Sequence, residues 1–269
     1  MNKWADLGVR TVSALVLAPI VVSAIWAGDF WFMVFVIFAG VMLALEWTTI
    51  AHAGNARQFA LHTLAVLCAA LVAKDFGVLK TSGLIAILTV LSVTLGRQSL
   101  NKWKLMGVPY VALPILALVV LRSDPKWGLA AILWCVVVVW SADILAYFAG
   151  RIIGGPKLAP ILSPKKTWAG MGGAIVGAAT ASIIFTQVMN LPFWPLFAFA
   201  AVFAVVEQGG DILESALKRA HGVKDSSNLI PGHGGILDRV DGLIAVILAA
   251  TLVGYLHNAQ SPASGLLLW

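Results

Sequence analysis

The chain predicts an all-α, polytopic membrane protein with about nine transmembrane helices and a cytoplasmic N-terminus. Three observations carry this expectation. Of its 269 residues 60% are hydrophobic and only 11% charged, and a mean hydropathy of +0.93 leaves too little polar surface to cover a water-soluble globule. Apolar runs recur that are long enough to cross a hydrocarbon core of roughly 30 Å. Basic residues concentrate on alternate connections between those runs.

The first run, 11–28, follows Lys3 and Arg10 in the manner of a signal peptide. It is longer than a typical apolar signal core and more spans follow, so it reads as an uncleaved helix. Runs at 30–51, 59–73, 82–96 and 107–121 come next, the last three being the shortest, and 128–150, 169–189, 194–213 and 240–257 complete the nine. An odd number of spans places the termini on opposite sides. With the N-terminus cytoplasmic, that side holds 14 of the 18 Lys and Arg residues: Lys3, Arg10, Arg57, Arg97, Lys102, Lys104, Arg151, Lys157, Lys165, Lys166, Lys218, Arg219, Lys224 and Arg239. The other side keeps Lys74, Lys80, Arg122 and Lys126. The net charge of +6 therefore belongs to loops beside anionic lipid and gives no support to nucleic-acid binding, which calls for a basic face on a soluble module. Cys68 and Cys135 both fall within apolar runs, so neither a disulfide framework nor a thiolate metal site is expected.

Polar residues divide the chain in two. Residues 1–127, with spans one to five, read as a hydrophobic membrane scaffold, and 128–269, with spans six to nine, as a catalytic membrane domain. Seven of the twelve acidic residues follow position 140: Asp143, Glu207, Asp211, Glu214, Asp225, Asp238 and Asp241. The long connections 97–106, 151–168 and 214–239 are all cytoplasmic in this orientation. No internal repeat and no low-complexity linker interrupts the pattern.

Glu207, Asp211, Glu214 and Lys218 are spaced by four, three and four residues, which puts them on one face of the eighth span as it leaves the membrane. Carboxylates at that depth face a water-filled cavity or a cation, because facing lipid costs several kcal/mol. The plainer alternative is an ion-pair network joining Asp211 or Glu214 to Lys218. Asp238 and Asp241 form a second pair at the start of the ninth span, and Asp143, one turn before Tyr147, adds a third acidic group late in the sixth. Between these carboxylates, Gly232, Gly234 and Gly235 let backbone N–H groups approach an anion, and Lys218, Arg219, Lys224 and Arg239 can neutralise it. The other long loop repeats the theme: Ser163, Pro164, Lys165, Lys166 and Thr167 lie immediately before the seventh span, where two lysines and a helix N-terminus both favour negative charge.

These residues resemble the phosphatidate cytidylyltransferases, or CDP-diacylglycerol synthases. The chain carries Ser215-Ala216-Leu217-Lys218-Arg219, then Lys224-Asp225, then Pro231-Gly232-His233-Gly234-Gly235, and finally Asp238-Arg239-Val240-Asp241. Gln208-Gly209-Gly210-Asp211 and the stretch Ser163 to Trp168 are also similar to the family, so the resemblance covers roughly 140–242. It implies transfer of cytidylate from CTP to phosphatidate, giving CDP-diacylglycerol and pyrophosphate, with Mg²⁺ as cofactor. Asp211 and Asp238 are the first-choice metal ligands, because they come from different helices; Glu214, Asp241 and Asp143 are second choices, with room for a second cation. Asp211, Lys218 and Asp238 form the catalytic set. Ser163, Lys165, Lys166, Thr167, Arg219, Lys224, Asp225, His233, Gly234, Gly235 and Arg239 form the substrate- and nucleotide-binding set, His233 as a donor to the leaving group. The resemblance favours a homodimer in a bacterial inner membrane with its site facing the cytoplasm.

Two other classes weigh less. An ion-coupled transporter uses intramembrane carboxylates but gains nothing from a loop rich in Lys, Arg and His-Gly-Gly. A CDP-alcohol phosphotransferase would share Asp238-x-x-Asp241-Gly242, but no Asp or Glu follows Asp241. A related CTP-dependent lipid kinase is the nearer alternative.

Overall fold

The computed structural model describes residues 19–96, 101–230 and 234–269. Residues 19–27 are helical, and nine helices follow: α1 (Asp29–His52), α2 (Ala56–Leu71), α3 (Ala73–Leu95), α4 (Lys102–Arg122), α5 (Gly128–Ile152), α6 (Trp168–Met189), α7 (Phe193–Ala220), α8 (Leu237–His257) and the short α9 (Pro262–Leu267). Two short strands, β1 (Lys157–Ala159) and β2 (Ser163–Thr167), lie between α5 and α6. Among the described residues seven helices, α1 and α3 to α8, are long and apolar enough to cross a membrane. The chain is thus an integral membrane protein of the helical type.

These seven correspond to seven predicted spans. The predicted span 59–73 is α2, which has 16 residues; at about 1.5 Å per residue it reaches about 24 Å, short of the roughly 30 Å core. Of the predicted span 11–28, residues 11–18 lie outside the described residues and 19–27 are helical. α3 starts at Ala73 rather than 82, because two helical segments join end to end at Gly77, whose φ of 75° and ψ of 170° only glycine adopts freely. α7 runs on to Ala220, seven residues past the predicted 213, so that the polar stripe stays helical. The long connection 151–168 holds the antiparallel hairpin β1–β2, with Lys157 opposite Thr167 and Ala159 opposite Ser163.

Two compact units result. One combines the residues up to Val120 with Leu217–Val240; the other combines Leu121–Ala216 with Asp241–Trp269. The segment 217–240 therefore groups with the N-terminal helices, not with the rest of the C-terminal half. In the first unit Val36, Leu43, Trp47, Val66, Ile85 and Val111 are fully buried. A buried reciprocal pair ties α2 to α3: Gln58 Nε2 donates to Ser92 O at 2.8 Å and Ser92 Oγ donates to Gln58 Oε1 at 2.5 Å. Side-chain pairing of this kind stabilises helix contacts where hydrocarbon gives no hydrophobic drive.

In the second unit α5 and α6 form the closest helix contact. A Cβ at Gly173 would strike Leu145 O and Ala149 Cβ, and one at Gly177 would strike Ser141 O, so these glycines at i and i+4 permit backbone-to-backbone approach. Trp134 Nε1 donates to Ser182 Oγ at 3.0 Å, and Ser182 Oγ donates to Leu196 O at 3.0 Å, linking α5, α6 and α7. Thr167 ends β2 and caps α6 by accepting from Gly170 N at 3.0 Å.

Candidate functional site

The predicted site residues fall into two charged clusters, one in each unit. The cluster of the second unit is built on Lys166. β2 leads directly into α6, which fixes where that side chain begins, and its Nζ reaches Asp211 Oδ2 at 2.7 Å and Gln208 Oε1 at 2.8 Å on α7. Gln208 turns its amide the other way and donates to Glu207 Oε2 at 2.8 Å. Glu207 is 2% exposed, and it meets Asp143 of α5. Asp241, at the start of α8, lies within electrostatic range of both Asp143 and Asp211. Two glycine positions admit this crowding. A Cβ on Gly210 would sit 2.7 Å from Asp241 O, and one on Gly242 would sit 2.8 Å from Glu207 Cγ. The Gly209-Gly210-Asp211 and Asp241-Gly242 sequences thus let α7 and α8 approach at the level of their carboxylates. Glu214 is buried further along α7.

Four carboxylates gathered around one lysine carry surplus negative charge. Oxygen donors of this type suit a hard divalent cation such as Mg²⁺, and the Lys166 ammonium beside Asp211 stands where such a charge is wanted. Among the described residues no three metal-binding side chains are already arranged around one point, so the cluster offers donor chemistry and charge without a closed ligand shell.

The first unit holds the second cluster. Lys218 Nζ donates to Asp238 Oδ1 at 2.6 Å, with side chains only 11% and 6% exposed. The other oxygen, Oδ2, accepts from Ser226 N, Ser226 Oγ and Gly235 N, all at 2.8 Å. Asp238 therefore draws Ser226 and Gly235 onto the first turn of α8. The glycines are explained by space: Gly234 has φ 81°, where a Cβ would lie 2.6 Å from Asp238 Oδ2, and a Cβ on Gly235 would collide with Ser226 Oγ and Glu46 Oε1. The Gly235 N–H, expected to face an anion, is given to Asp238 within the protein. Gly232 and His233 lie outside the described residues.

Asp211 joins Lys166 and Lys218 joins Asp238, each partner coming from a different element. Of the remaining predicted residues, Lys165, Arg219, Lys224, Asp225 and Arg239 are exposed and Ser163 is half-buried on β2. Arg219 Nη1 donates to Val223 O at 3.0 Å and closes the turn after α7. Sequence reasoning missed Glu46, which is 3% exposed on α1 and accepts from the loop at Ser226, Ser227, Ile236 and Leu237. The signal was present: Glu46 is the sole charged residue of the apolar run 30–51, and an ionisable residue at such a depth marks a site by default.

Residues 8–257 match the family described as the Cytidylyltransferase family. The chain is 38% identical over 257 residues to a phosphatidate cytidylyltransferase of Brucella melitensis, covering 93% of this chain and 94% of that protein. It is 35% identical over 258 residues to the protein of that name from Pseudomonas aeruginosa, covering 88% and 93%. A Bacillus subtilis phosphatidate cytidylyltransferase is 45% identical over 129 residues, 47% of this chain and 48% of the other.

Proposed function

Because the chain belongs to the cytidylyltransferase family, we propose a division of roles among its charged residues in making CDP-diacylglycerol. The enzyme transfers cytidylate from CTP to phosphatidate in phospholipid biosynthesis. A phosphatidate oxygen bonds to the α-phosphorus of CTP as the bond from that phosphorus to the β-phosphate oxygen breaks, and pyrophosphate leaves. The observation that carries the assignment of roles is the pairing of signature residues distant in sequence, Lys166 with Asp211 and Lys218 with Asp238.

The nucleophile arrives with the substrate. A phosphate monoester has a second pKa of roughly 6, so phosphatidate needs no general base near neutral pH. The protein must instead reduce repulsion between two anions, hold them in line and neutralise the leaving group. Lys218, fixed by Asp238, and Lys166, fixed by Asp211 and Gln208, present ammonium groups at defined positions for phosphate oxygens. The exposed Lys165, Arg219, Lys224 and Arg239 attract the triphosphate from solution. Asp211 and Asp238 are the first-choice Mg²⁺ ligands, each judged within its own cluster, with Asp241, Asp143 and Glu214 behind them. Bound Mg²⁺ would neutralise phosphate charge and favour departure of pyrophosphate. His233, Gly234 and Gly235 are assigned to the triphosphate. Counted over nine spans, with α2 crossing, the Lys and Arg distribution supports a cytoplasmic site, where CTP is found, and the bacterial sources of the relatives support an inner membrane.

Incubating detergent-solubilised protein with phosphatidate, Mg²⁺ and CTP tests the reading. Cytidine-labelled CTP should yield a labelled liponucleotide with release of pyrophosphate. Label entering lipid only from the γ-phosphate of CTP would refute it and establish a lipid kinase.

A further inference from the structure

Glu46 sits in the helices that the sequence offered as mere scaffold, yet its carboxylate receives four donors from the signature loop. Oε2 accepts from Leu237 N at 2.7 Å and Ser226 Oγ at 3.0 Å; Oε1 accepts from Ser227 Oγ at 2.7 Å and Ile236 N at 2.9 Å. Ile236 immediately precedes α8 and Leu237 opens it, so two of these are N–H groups that a helix N-terminus leaves without intrahelical partners. A negative charge is favoured there by the helix dipole. Capping normally comes from a residue just ahead of the helix; here it comes from 190 positions upstream. The other two donors are Ser226 and Ser227, so one carboxylate joins these serines to the start of α8.

Ser226 connects this grip to the chemistry. Its hydroxyl lies 3.0 Å from Glu46 Oε2 and 2.8 Å from Asp238 Oδ2 and shares its single O–H between the two carboxylates, while its N–H donates to Asp238 Oδ2. Asp238 in turn holds the Lys218 ammonium at 2.6 Å. Gly235 packs so closely against Glu46 Oε1 and Ser226 Oγ that no side chain fits. We propose that Glu46 is a positioning residue for the transfer reaction, fixing Ser226, Ser227 and the start of α8 and through Asp238 the direction of the Lys218 ammonium. This rests on the reading that Lys218 and Asp238 serve the reaction.

Glu46→Gln keeps the shape but turns an NH₂ toward part of a ring of donors. Its kcat, measured on the monodisperse folded fraction, should fall about 10–100-fold, since a displacement on the order of 1 Å costs about that much, while KM for CTP stays within about threefold. A residue acting only on stability would lower the melting temperature and leave kcat of the folded fraction unchanged. The decisive measurement is the cycle with Lys218→Ala: once Lys218 is gone, Glu46→Gln should cost less than about threefold. Independent multiplication of the two effects overturns the proposal, as does wild-type kcat in Glu46→Gln while Lys218→Ala is impaired. Wild-type kinetics in Lys218→Ala would overturn the site reading and the proposal with it. Should Glu46→Gln fail to fold, Ser227→Ala takes its place in the same cycle, with about a 3–10-fold loss expected and no loss counting against the proposal.

Discussion

Removing the Lys218 ammonium is the sharpest test of the first unit's cluster. In Lys218→Ala, Asp238 Oδ1 loses a 2.6 Å charge-assisted bond in surroundings where the two side chains are 11% and 6% exposed. Breaking one partner of a buried ion pair costs about 3–5 kcal/mol, because the other charge is left uncompensated. Asp238 is partly protected here: Oδ2 keeps its three donors from Ser226 and Gly235, so the lower end, about 3 kcal/mol, is expected. Catalysis should suffer separately, since loss of one preorganised donor to a transition state costs about 10²–10³-fold in kcat. Lys218→Arg retains the charge but not the compact geometry and should recover most stability and little rate. Thermal melting in detergent and initial rates with CTP and phosphatidate measure the two effects. An unchanged melting temperature in Lys218→Ala would refute the energetic argument, and an unchanged rate would remove Lys218 from the reaction.

Lys166→Ala should lower kcat/KM far more than Lys165→Ala, because Lys166 bonds Asp211 and Gln208 whereas Lys165 is exposed; equal losses would contradict that division. Asp124, between α4 and α5, offers a pH test outside the spans. Burial pushes its carboxyl up, but hydrogen bonds from Ser261, Trp127, Ser264 and Lys126 outweigh this and hold it below the ordinary value of 3.8. A depressed folded-state pKa gives stability that is present above the unfolded value and lost as pH falls through the folded one, so Asp124→Asn should flatten the acid side of the melting curve below about pH 4; identical acid limbs would oppose the assignment. Cysteines placed at the exposed Ile161 and Asn228, in a background lacking Cys68 and Cys135, should react with an impermeant thiol reagent only from the cytoplasmic face of sealed vesicles; labelling from opposite faces would break the proposed topology.

The helical spans were legible because their signal is compositional: long apolar runs between α1 and α8 need no partner to be recognised. Boundaries set by polar residues were not. The predicted end of the eighth span at 213 reflects hydropathy falling at Glu214, but α7 continues because Lys218 is paired and Leu217 is buried. The charged residues of the site were visible as residues, and their partners were not. Lys218 shares a helical face with Asp211 and Glu214, which left an ion pair on α7 as the plainer alternative; the bonds observed run from Lys166 to Asp211 and from Lys218 to Asp238. The glycines at 234 and 235 were correctly singled out for close approach, but what approaches them here is carboxylate from Asp238 and Glu46. Glu46 was passed over because a single acid in an apolar run has no spacing pattern to announce it.

The position of Glu46 also bears on how the chain is made. Its serine partner lies 180 residues downstream, and at about 5–20 residues per second a ribosome needs about 10–40 s to supply it. Throughout that interval Glu46 lacks the donors that later surround it. Glu46 lies six residues before the end of α1 at His52, about 9 Å along the helix axis. That distance lets the nascent helix keep its acid at the headgroup region, in water, until the loop arrives. α8 then receives its N-terminal cap from a helix made about 190 residues earlier, so the loop closes only after both have left the ribosome.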